Sequence, residues 1–242
     1  TPQREITVAM CGKYTKLVDS YASIIESFHH CAAHLKCRIH VEWVETTDLQ
    51  DTSFLDRVDG VVVPGGFGQR GTEGKIEVIR RVRERNIPFL GLCLGLQLAV
   101  IEFSRNVCGL AGANSTEMNP DTPHPVIDIL PEQKKITDKG GTMRLGAYHA
   151  VLKEGTLLHS LYRADEVSER HRHRYEVNPE YHEIISNKGM VFSGISRDGR
   201  LVEFIELPGH KFFAATQAHP ELKSRMEAPA PLFYGFIRAC LR

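Results

Sequence analysis

The sequence has 242 residues, of which 42% are hydrophobic and 25% are charged. Its 30 Lys plus Arg residues balance 30 Asp plus Glu residues, so the formal net charge at pH 7 is zero. Such a chain can bury a substantial core, and it lacks the bulk positive charge of a nucleic-acid-binding surface. The longest apolar stretch, residues 87–101, contains proline and glycine and is too short to span a bilayer. We therefore expect no nucleic acid and no membrane among the partners.

Strands and helices alternate along the first half of the chain. The apolar periodicity predicts, in order, a strand at 6–10, a helix at 20–35, strands at 39–44 and 59–63, a helix at 73–85, a strand at 88–92 and a helix at 96–105. The third strand ends in the apolar run Val61-Val62-Val63, which is typical of a strand buried on both faces. This alternation predicts an α/β fold with a mostly parallel central sheet flanked by helices.

The second half of the chain is less regular. Residues 120–141 contain four prolines and indicate a long surface connection. Residues 201–206 and 212–216 are predicted strands, and residues 231–241 are a predicted closing helix. No shift in composition marks a linker, so residues 1–242 are interpreted as one domain.

The cysteines indicate the cellular compartment. They form no C-x-x-C pair and no regular framework, which is typical of reduced thiols in a chain of this length. No charged and apolar N-terminal segment marks a secretory signal, and we expect a cytoplasmic location. The six residues are Cys11, Cys31, Cys37, Cys93, Cys108 and Cys240.

The segment Gly91-Leu92-Cys93-Leu94-Gly95 lies where a predicted strand ends and a helix begins. This setting is typical of a nucleophile on a tight turn, where flanking glycines avoid Cβ clashes. The partial positive charge of the helix N-terminus favours the thiolate form of Cys93. The alternative is a buried structural cysteine beside two packing glycines.

Two further segments fit chemistry at Cys93. In His219-Pro220-Glu221 the imidazole can move a thiol proton and the carboxylate can orient the ring, although a lone histidine is more often structural. The glycine-rich turn after Val63 can expose a backbone N–H of Gly66 which, with that of Leu94, would bind an oxyanion. The alternative for that turn is an ordinary tight turn, and it does not match a phosphate-binding P-loop.

Six segments together resemble the glutamine amidotransferase domain of CTP synthases, over nearly the whole chain. The cysteine turn and the HPE segment alone indicate the class I (triad) glutamine amidotransferases, with their flavodoxin-like core. The strings GGTMRLG and RHRHRYEVNP narrow the resemblance to the CTP synthase branch. The segments are residues 64–74 (PGGFGQRGTEG), 91–109 (GLCLGLQLAVIEFSRNVCG), 114–117 (NSTE), 140–146 (GGTMRLG), 169–179 (ERHRHRYEVNP) and 217–225 (QAHPELKSR).

The resemblance implies a role for each matching residue. Cys93 would be the nucleophile, His219 the general base and acid, and Glu221 the orienting carboxylate. One acidic and one basic residue would bind the zwitterionic end of glutamine, although without the family both would be taken for ordinary surface charges. The implied substrate-binding residues are Gly66, Phe67, Leu94, Gln97, Glu117 and Arg174.

The resemblance also implies a reaction and its partners. L-glutamine would be hydrolysed to glutamate and ammonia through a γ-glutamyl thioester. The ammonia would aminate UTP to CTP in an amidoligase domain that uses ATP and Mg, with GTP as a possible effector. That amidoligase domain is not represented in these 242 residues, in which we expect no cofactor and no metal. The full-length enzyme would be a homo-oligomer.

Alternatives and departures from the family pattern accompany this interpretation. The chain would otherwise be a catalytically weak regulatory or assembly module, or another cysteine hydrolase such as a γ-glutamyl hydrolase. An intracellular peptidase is disfavoured because Leu94, not histidine, follows the cysteine. Ala218 replaces an aromatic residue of many relatives, so looser packing is expected there. A nucleotide effector or the partner domain would contact Arg70, Arg170 and Arg172, and metal binding is not expected at His171 and His173.

Overall fold

The computed structural model describes residue 2 and residues 4–13, 18–129 and 143–242. The predicted surface connection at 120–141 and the GGTMRLG segment lie partly outside these residues. Six α-helices occur in the described residues: α1 (Ala22–Leu35), α2 (Thr72–Glu84), α3 (Leu94–Asn106), α4 (Leu157–Tyr162), α5 (His182–Asn187) and α6 (Pro231–Cys240). The strands of the same residues are β1 (Arg4–Gly12), β2 (Cys37–Glu45), β3 (Gly60–Val63), β4 (Phe89–Leu92), β5 (Asn114–Ser115), β6 (Pro125–Asp128), β7 (Arg144–Leu152), β8 (Glu166–His173), β9 (Glu176–Val177), β10 (Val191–Ile195), β11 (Val202–Glu206) and β12 (Phe213–Thr216).

A central sheet joins nine of the described strands in the order β2-β1-β3-β4-β12-β11-β10-β7-β8. The pairs from β2 to β12 are parallel, and those from β12 to β8 are antiparallel. The predicted α/β class with a helix-flanked sheet is confirmed. The sheet is mixed, however, with as many antiparallel as parallel pairs, and is not mostly parallel as predicted. The parallel half contains the strands predicted from the first half of the sequence, and β8 forms an edge of the antiparallel half.

A second, small sheet has the order β5-β6-β9. Its strand β6 falls within the predicted surface connection, and that prediction is wrong here because Val126 and Ile127 are fully buried. These two side chains belong to the same apolar cluster as α3. The prolines around β6 interrupt regular structure without keeping the segment at the surface.

Apolar side chains from the two faces of the central sheet form two core layers. In β3, Val61 and Val63 pack with α2 and α3 on one face, whereas Val62 packs with α1 and α6 on the other. This alternation follows the two-residue period of a strand. Helix α6 starts at Pro231, a favoured first helical position. None of the described helices has the length and apolar character needed to cross a membrane.

The carboxyl ends of three adjacent parallel strands, β3, β4 and β12, meet at one edge of the sheet. The residues that follow them are the glycine-rich turn after Val63, the cysteine turn after Leu92 and the segment after Thr216. Ligands of open α/β sheets bind at this edge. The fold therefore brings together three segments that are far apart in the sequence.

Candidate functional site

Cys93 is held in an uncommon backbone conformation between β4 and α3, with φ of 51° and ψ of −100°. Its N–H donates to the carbonyl of Thr216 at 2.7 Å, and its carbonyl accepts from the N–H groups of Leu96 and Gln97 at 3.1 and 3.3 Å. A positive φ at a non-glycine residue costs about 1–3 kcal/mol and is found most often at functional sites. The turn thus fixes the cysteine side chain at the N-terminus of α3.

The two glycines that flank Cys93 are required by close packing. A Cβ at Gly91 would lie 2.8 Å from the Ala215 Cβ, and one at Gly95 would lie 2.3 Å from the Val63 carbonyl oxygen. Real Cβ contacts of this length essentially never occur. The observed distances support the sequence interpretation that these glycines relieve Cβ clashes around the turn.

His219 and Glu221 form a pair beside this turn. The Nδ1 atom of His219 lies 2.7 Å from Oε1 of Glu221, and the Glu221 side chain is 7% exposed. Burial disfavours protonation of the imidazole, but hydrogen bonds with Cys93 and Glu221 and the negative charges of both raise the pKa of His219 to about 10. The site therefore favours the imidazolium form of His219.

Gly65 lies where the cysteine and the histidine converge. A Cβ at this position would be 2.9 Å from Cε1 of His219 and 3.5 Å from Cβ of Cys93. The structure thus brings Cys93 and His219 together across a glycine. The sequence interpretation selected Gly66 from this turn and missed Gly65, although both belong to the same Pro-Gly-Gly run.

Two buried glutamine side chains lie near the sulfur of Cys93, one in contact with it and the other bonded to the first. Nε2 of Gln217 lies 3.7 Å from Sγ of Cys93. Nε2 of Gln97 donates to Oε1 of Gln217 at 3.3 Å and to the Tyr175 carbonyl at 3.1 Å. Gln97 is a predicted site residue, whereas Gln217 was missed as one even though it directly precedes the Ala-His-Pro-Glu segment.

Backbone carbonyls of the edge strand β8 complete the surroundings of the sulfur. The carbonyl of Arg170 accepts the N–H of His219 at 2.8 Å, and that of Arg172 lies 4.0 Å from Sγ of Cys93. The side chains of both arginines are exposed, as is that of Arg70. Arg70 contacts the Thr47 hydroxyl at 3.2 Å.

Two further predicted substrate residues, Phe67 and Glu117, lie at the glycine-rich turn. Oε1 of Glu117 accepts the N–H of Gly68 at 3.1 Å. Burial raises the pKa of Tyr175, and the nearby charges of Glu117 and Arg174 shift it in opposite directions. Phe67 is 68% exposed, with Nζ of Lys13 above its ring at 4.6 Å. Glu117 thus contacts the turn after β3, and Arg174 directly precedes Tyr175, whose carbonyl accepts from Nε2 of Gln97.

Gly66 and Leu94 are in direct proximity. A Cβ at Gly66 would lie 3.3 Å from Cδ2 of Leu94, which is the first residue of α3. The turn after β3 thus packs against the helix N-terminus, where unpaired N–H groups favour negative charge.

A cavity of about 240 Å³ opens beside His219 and Glu221 and is also lined by Gly65, Arg172 and the start of α1. Ala218 is fully buried. Within the described ranges, no group of three or more His, Cys, Asp or Glu side chains is arranged to hold a metal ion.

Comparisons of the sequence with known proteins place the chain in a family. Residues 16–239 match the family model of class-I glutamine amidotransferases. The CTP synthase of Methanocaldococcus jannaschii is 56% identical over 249 residues, covering 99% of this chain and 46% of that protein. The CTP synthase of Archaeoglobus fulgidus is 54% identical over 243 residues, covering 100% of this chain and 46% of that protein. The chain thus spans about half the length of these curated relatives.

Solved structures give the same result. The glutaminase domain of Trypanosoma brucei CTPS, solved with bound acivicin, is 37% identical, with a TM-score of 0.90 over 97% of this chain and 93% of that chain. A glutamine amidotransferase from Thermotoga maritima is 13% identical, with a TM-score of 0.55 over 98% of this chain and 96% of that chain, and shares the fold alone. The chain belongs to the class-I glutamine amidotransferase family, in the branch formed by the glutaminase domains of CTP synthases.

Proposed function

We propose that residues 1–242 form one glutaminase domain that hydrolyses L-glutamine to glutamate and ammonia. The observation that carries this proposal is the arrangement of Cys93, His219 and Glu221. The cysteine lies on a strained turn at a helix N-terminus and meets His219 across Gly65. Nδ1 of His219 lies 2.7 Å from Oε1 of Glu221. A thiolate, an imidazolium and an orienting carboxylate are the groups that acyl transfer from an amide needs.

In the proposed first step, the Cys93 thiolate attacks the side-chain carboxamide carbon of glutamine. The negative charge passes to the carboxamide oxygen, where the N–H groups of Leu94 and Gly66 stabilise it, and one such donor is worth roughly 10²–10³ in rate. The C–N bond then breaks, and the His219 imidazolium gives its proton to the departing nitrogen, which leaves as ammonia. A γ-glutamyl thioester on Cys93 remains.

In the second step, neutral His219 accepts a proton from water while the water oxygen attacks the thioester carbon. The C–S bond breaks, releasing glutamate and restoring the thiolate and imidazolium pair. Glu221 keeps Nδ1 of His219 protonated through the cycle, so that Nε2 remains the atom that exchanges protons. Positioned proton transfer of this kind contributes roughly 10²–10⁴ in rate.

The proposed substrate site lies next to Tyr175. Glutamine carries an ammonium and a carboxylate, which Glu117 and Arg174 complement in charge. Both lie close enough to Tyr175 to shift its pKa, and Gln97 links the Tyr175 carbonyl to the residues around the sulfur. The matching glutaminase domain of Trypanosoma brucei CTPS was solved with bound acivicin, which supports a small-molecule site in this domain.

We further propose that the ammonia serves the synthase part of a CTP synthase, which aminates UTP to CTP with ATP and Mg and responds to GTP. The curated relatives that carry this name are about twice as long as this chain. All six cysteines are free, which supports a reducing, cytoplasmic location. A homo-oligomeric full-length enzyme is part of the same proposal.

The first prediction concerns the nucleophile. Cys93→Ala should lower glutamate formation from L-glutamine to the uncatalysed background, because the thiolate that forms the thioester is then missing from the site. Cys108→Ala is the matched control, since Cys108 is another free cysteine that is partly exposed. A glutamine-like electrophile should add its mass to Cys93 in the parent and in Cys108→Ala. Equal glutaminase rates in the parent and in Cys93→Ala would contradict the proposed function and favour a regulatory module.

A further inference from the structure

Five ionisable side chains form a buried cluster behind β8, outside the proposed triad. Arg144 on β7 donates to Oε1 of Glu176 at 3.2 Å and to Oε1 of Glu203 at 2.7 Å. Nε2 of His171 lies 3.6 Å from Oε2 of Glu203, and His173 contacts Glu176 at 3.5 Å. All five residues are at most 8% exposed, so this arrangement is a built feature of the core.

The hydrogen bonds of the two histidines have a defined direction. Nδ1 of His173 lies 3.1 Å from the Tyr175 carbonyl, which can only accept, so this nitrogen carries a proton. Burial and the charge of Arg144 lower the pKa of His171 to about 3, and burial lowers the pKa of His173 well below its usual value. Both rings are therefore neutral, and Nδ1 of His171 donates to Nε2 of His173 across 2.9 Å.

The charges of the cluster are balanced by a retained proton. Arg144 is one cation between the two carboxyl groups of Glu176 and Glu203. Burial raises the pKa of Glu203 and raises that of Glu176 to about 8. At neutral pH at least one of the two carboxyl groups therefore remains protonated, and the cluster is close to neutral, as its burial requires.

The cluster is joined to the proposed nucleophile by two backbone routes. On β8, the inward residues His171 and His173 alternate with Arg170 and Arg172. The carbonyl of Arg170 accepts the N–H of His219, and the carbonyl of Arg172 faces Sγ of Cys93. On β11, the carbonyl of Glu203 accepts the N–H of Gln217 at 2.9 Å.

The second route ends at the sulfur, because Nε2 of Gln217 lies 3.7 Å from Sγ of Cys93. Among the described strands, β8 pairs only with β7 and has its other edge toward the site. The distance between β8 and the sulfur therefore depends on the contacts that the inward side chains of β8 make in the cluster.

We propose that the cluster of Arg144, His171, His173, Glu176 and Glu203 is a positioning unit that sets the reactivity of Cys93 by fixing the outer edge of β8 and Gln217 against it. These residues do not touch the substrate or the reacting atoms. The link to glutamine hydrolysis rests on the proposed function, whereas the effect on the sulfur does not. The test therefore measures the chemistry of Cys93 directly as well as turnover.

The test variant is His171→Phe, which keeps an aromatic ring but removes the bond to His173 and the contact with Glu203. The rate of carboxamidomethylation of Cys93 by iodoacetamide at a fixed pH is followed by peptide mass spectrometry. We expect this rate to fall at least fivefold, with kcat for glutamine falling in parallel and KM changing less than twofold. His173→Asn is the milder second variant: it retains a donor for the Tyr175 carbonyl, loses the link to His171, and should shift both rates in the same direction.

His210→Phe is the matched control. His210 is a partly buried histidine bonded to the Val82 carbonyl near the start of β12, at the opposite end of that strand from His219. It should lose stability without changing the alkylation of Cys93. If His171→Phe or His173→Asn is folded and Cys93 reacts within twofold of the parent rate, the proposal is overturned. Absence of glutaminase activity in the parent, with altered alkylation in the variants, would instead overturn only the proposed function.

Discussion

Glu221 is, with Cys93, one of the two groups that raise the pKa of His219. Its carboxylate accepts from Nδ1 at 2.7 Å, and its second oxygen has no hydrogen-bond partner in the described residues. In Glu221→Gln the negative charge that favours the imidazolium is removed. We expect the pKa of His219 to fall from about 10 toward its usual value near 6.5, and kcat to fall roughly 10²-fold through loss of proton transfer.

NMR titration of the Cε1–H resonance of His219 measures its pKa, and steady-state glutaminase assays measure kcat. Together they test this second prediction. Glu166→Gln is the control, because Glu166 is a half-exposed glutamate on β8 that pairs with Arg197 on the surface. It should leave both the His219 titration and kcat unchanged. An unshifted His219 in Glu221→Gln would show that the carboxylate does not hold the imidazolium.

A third prediction follows for stability against pH. The pKa of His219 is raised in the folded state, to about 10, so its contribution to the free energy of unfolding is complete below pH 6.5. It is lost as the pH rises from about 6.5 to 10, because only the unfolded chain then releases the proton. One pKa unit corresponds to about 1.4 kcal/mol, so the loss is on the order of a few kcal/mol.

The measurement is urea unfolding of the parent and of His219→Asn at several pH values from 6 to 10. The difference in the free energy of unfolding between the two proteins should narrow as the pH rises. Titrations of groups that do not interact with His219 cancel in the comparison. If the difference in the free energy of unfolding widens as the pH rises, the pKa of His219 is lowered by folding and the prediction is wrong.

At the level of single residues, the sequence predicts the groups that carry chemistry better than those that surround them. Cys93, His219 and Glu221 lie in short segments whose residue types indicate a role. Gly65 and the carbonyls of Arg170 and Arg172 act through backbone position, which residue identity does not encode. The sequence therefore indicates the reactive groups but not the backbone atoms that contact them.

The contact between β3 and α3 fixes the cysteine turn at the level of elements. Gly95, near the start of α3, lies so close to β3 that a Cβ would be 2.3 Å from the Val63 carbonyl oxygen. Our fourth prediction is that Gly95→Ala lowers the free energy of unfolding by about 2–3 kcal/mol, as overpacking does. It should also reduce glutaminase activity, because α3 must move away from β3 and carries Leu94 with it.

Thermal unfolding and glutaminase assays measure both effects. Gly109→Ala is the comparison: Gly109 has φ of 74°, and a Cβ added there would meet no atom of the described residues within 4 Å. Only backbone strain of about 1 kcal/mol is therefore expected, and its glutaminase activity should match that of the parent. Full activity in Gly95→Ala would mean that the turn does not depend on this packing.

The two halves of the central sheet differ in how readily the sequence predicts them. In the parallel half, β3 and β4 are fully buried and their apolar runs mark them clearly. In the antiparallel half, β8 alternates buried and exposed residues from Glu169 onward, and its buried positions are Glu169, His171 and His173. The alternation of His171 and His173 with arginines indicates a strand-like segment, and β8 confirms it. Because polar residues occupy both faces, the pattern does not show which face is buried.

At the scale of the whole molecule, the chain accounts for about half the length of its curated relatives. Our fifth prediction concerns the two nitrogen sources of the full-length enzyme that we propose. With Cys93→Ala, CTP formation from glutamine should be lost, whereas CTP formation from ammonium chloride should continue. The change removes the source of ammonia and leaves the amination of UTP untouched.

The measurement compares CTP formation, followed by its absorbance change, with either nitrogen source. Cys108→Ala serves again as the control and should retain both activities. Loss of the ammonium-dependent reaction in Cys93→Ala would mean that the cysteine supports more than glutamine hydrolysis.

Strand β8 faces the sulfur of Cys93 through main-chain carbonyls. Substitutions and deletions in this strand should therefore have different effects. Exchanging Arg170 or Arg172 for another residue keeps their carbonyl oxygens in place. Deleting one codon within β8 would carry the arginines inward and turn His171 and His173 to solvent, because a slip of one residue inverts both faces of a strand. This edge should therefore tolerate substitutions at Arg170 and Arg172 better than the deletion of a single residue.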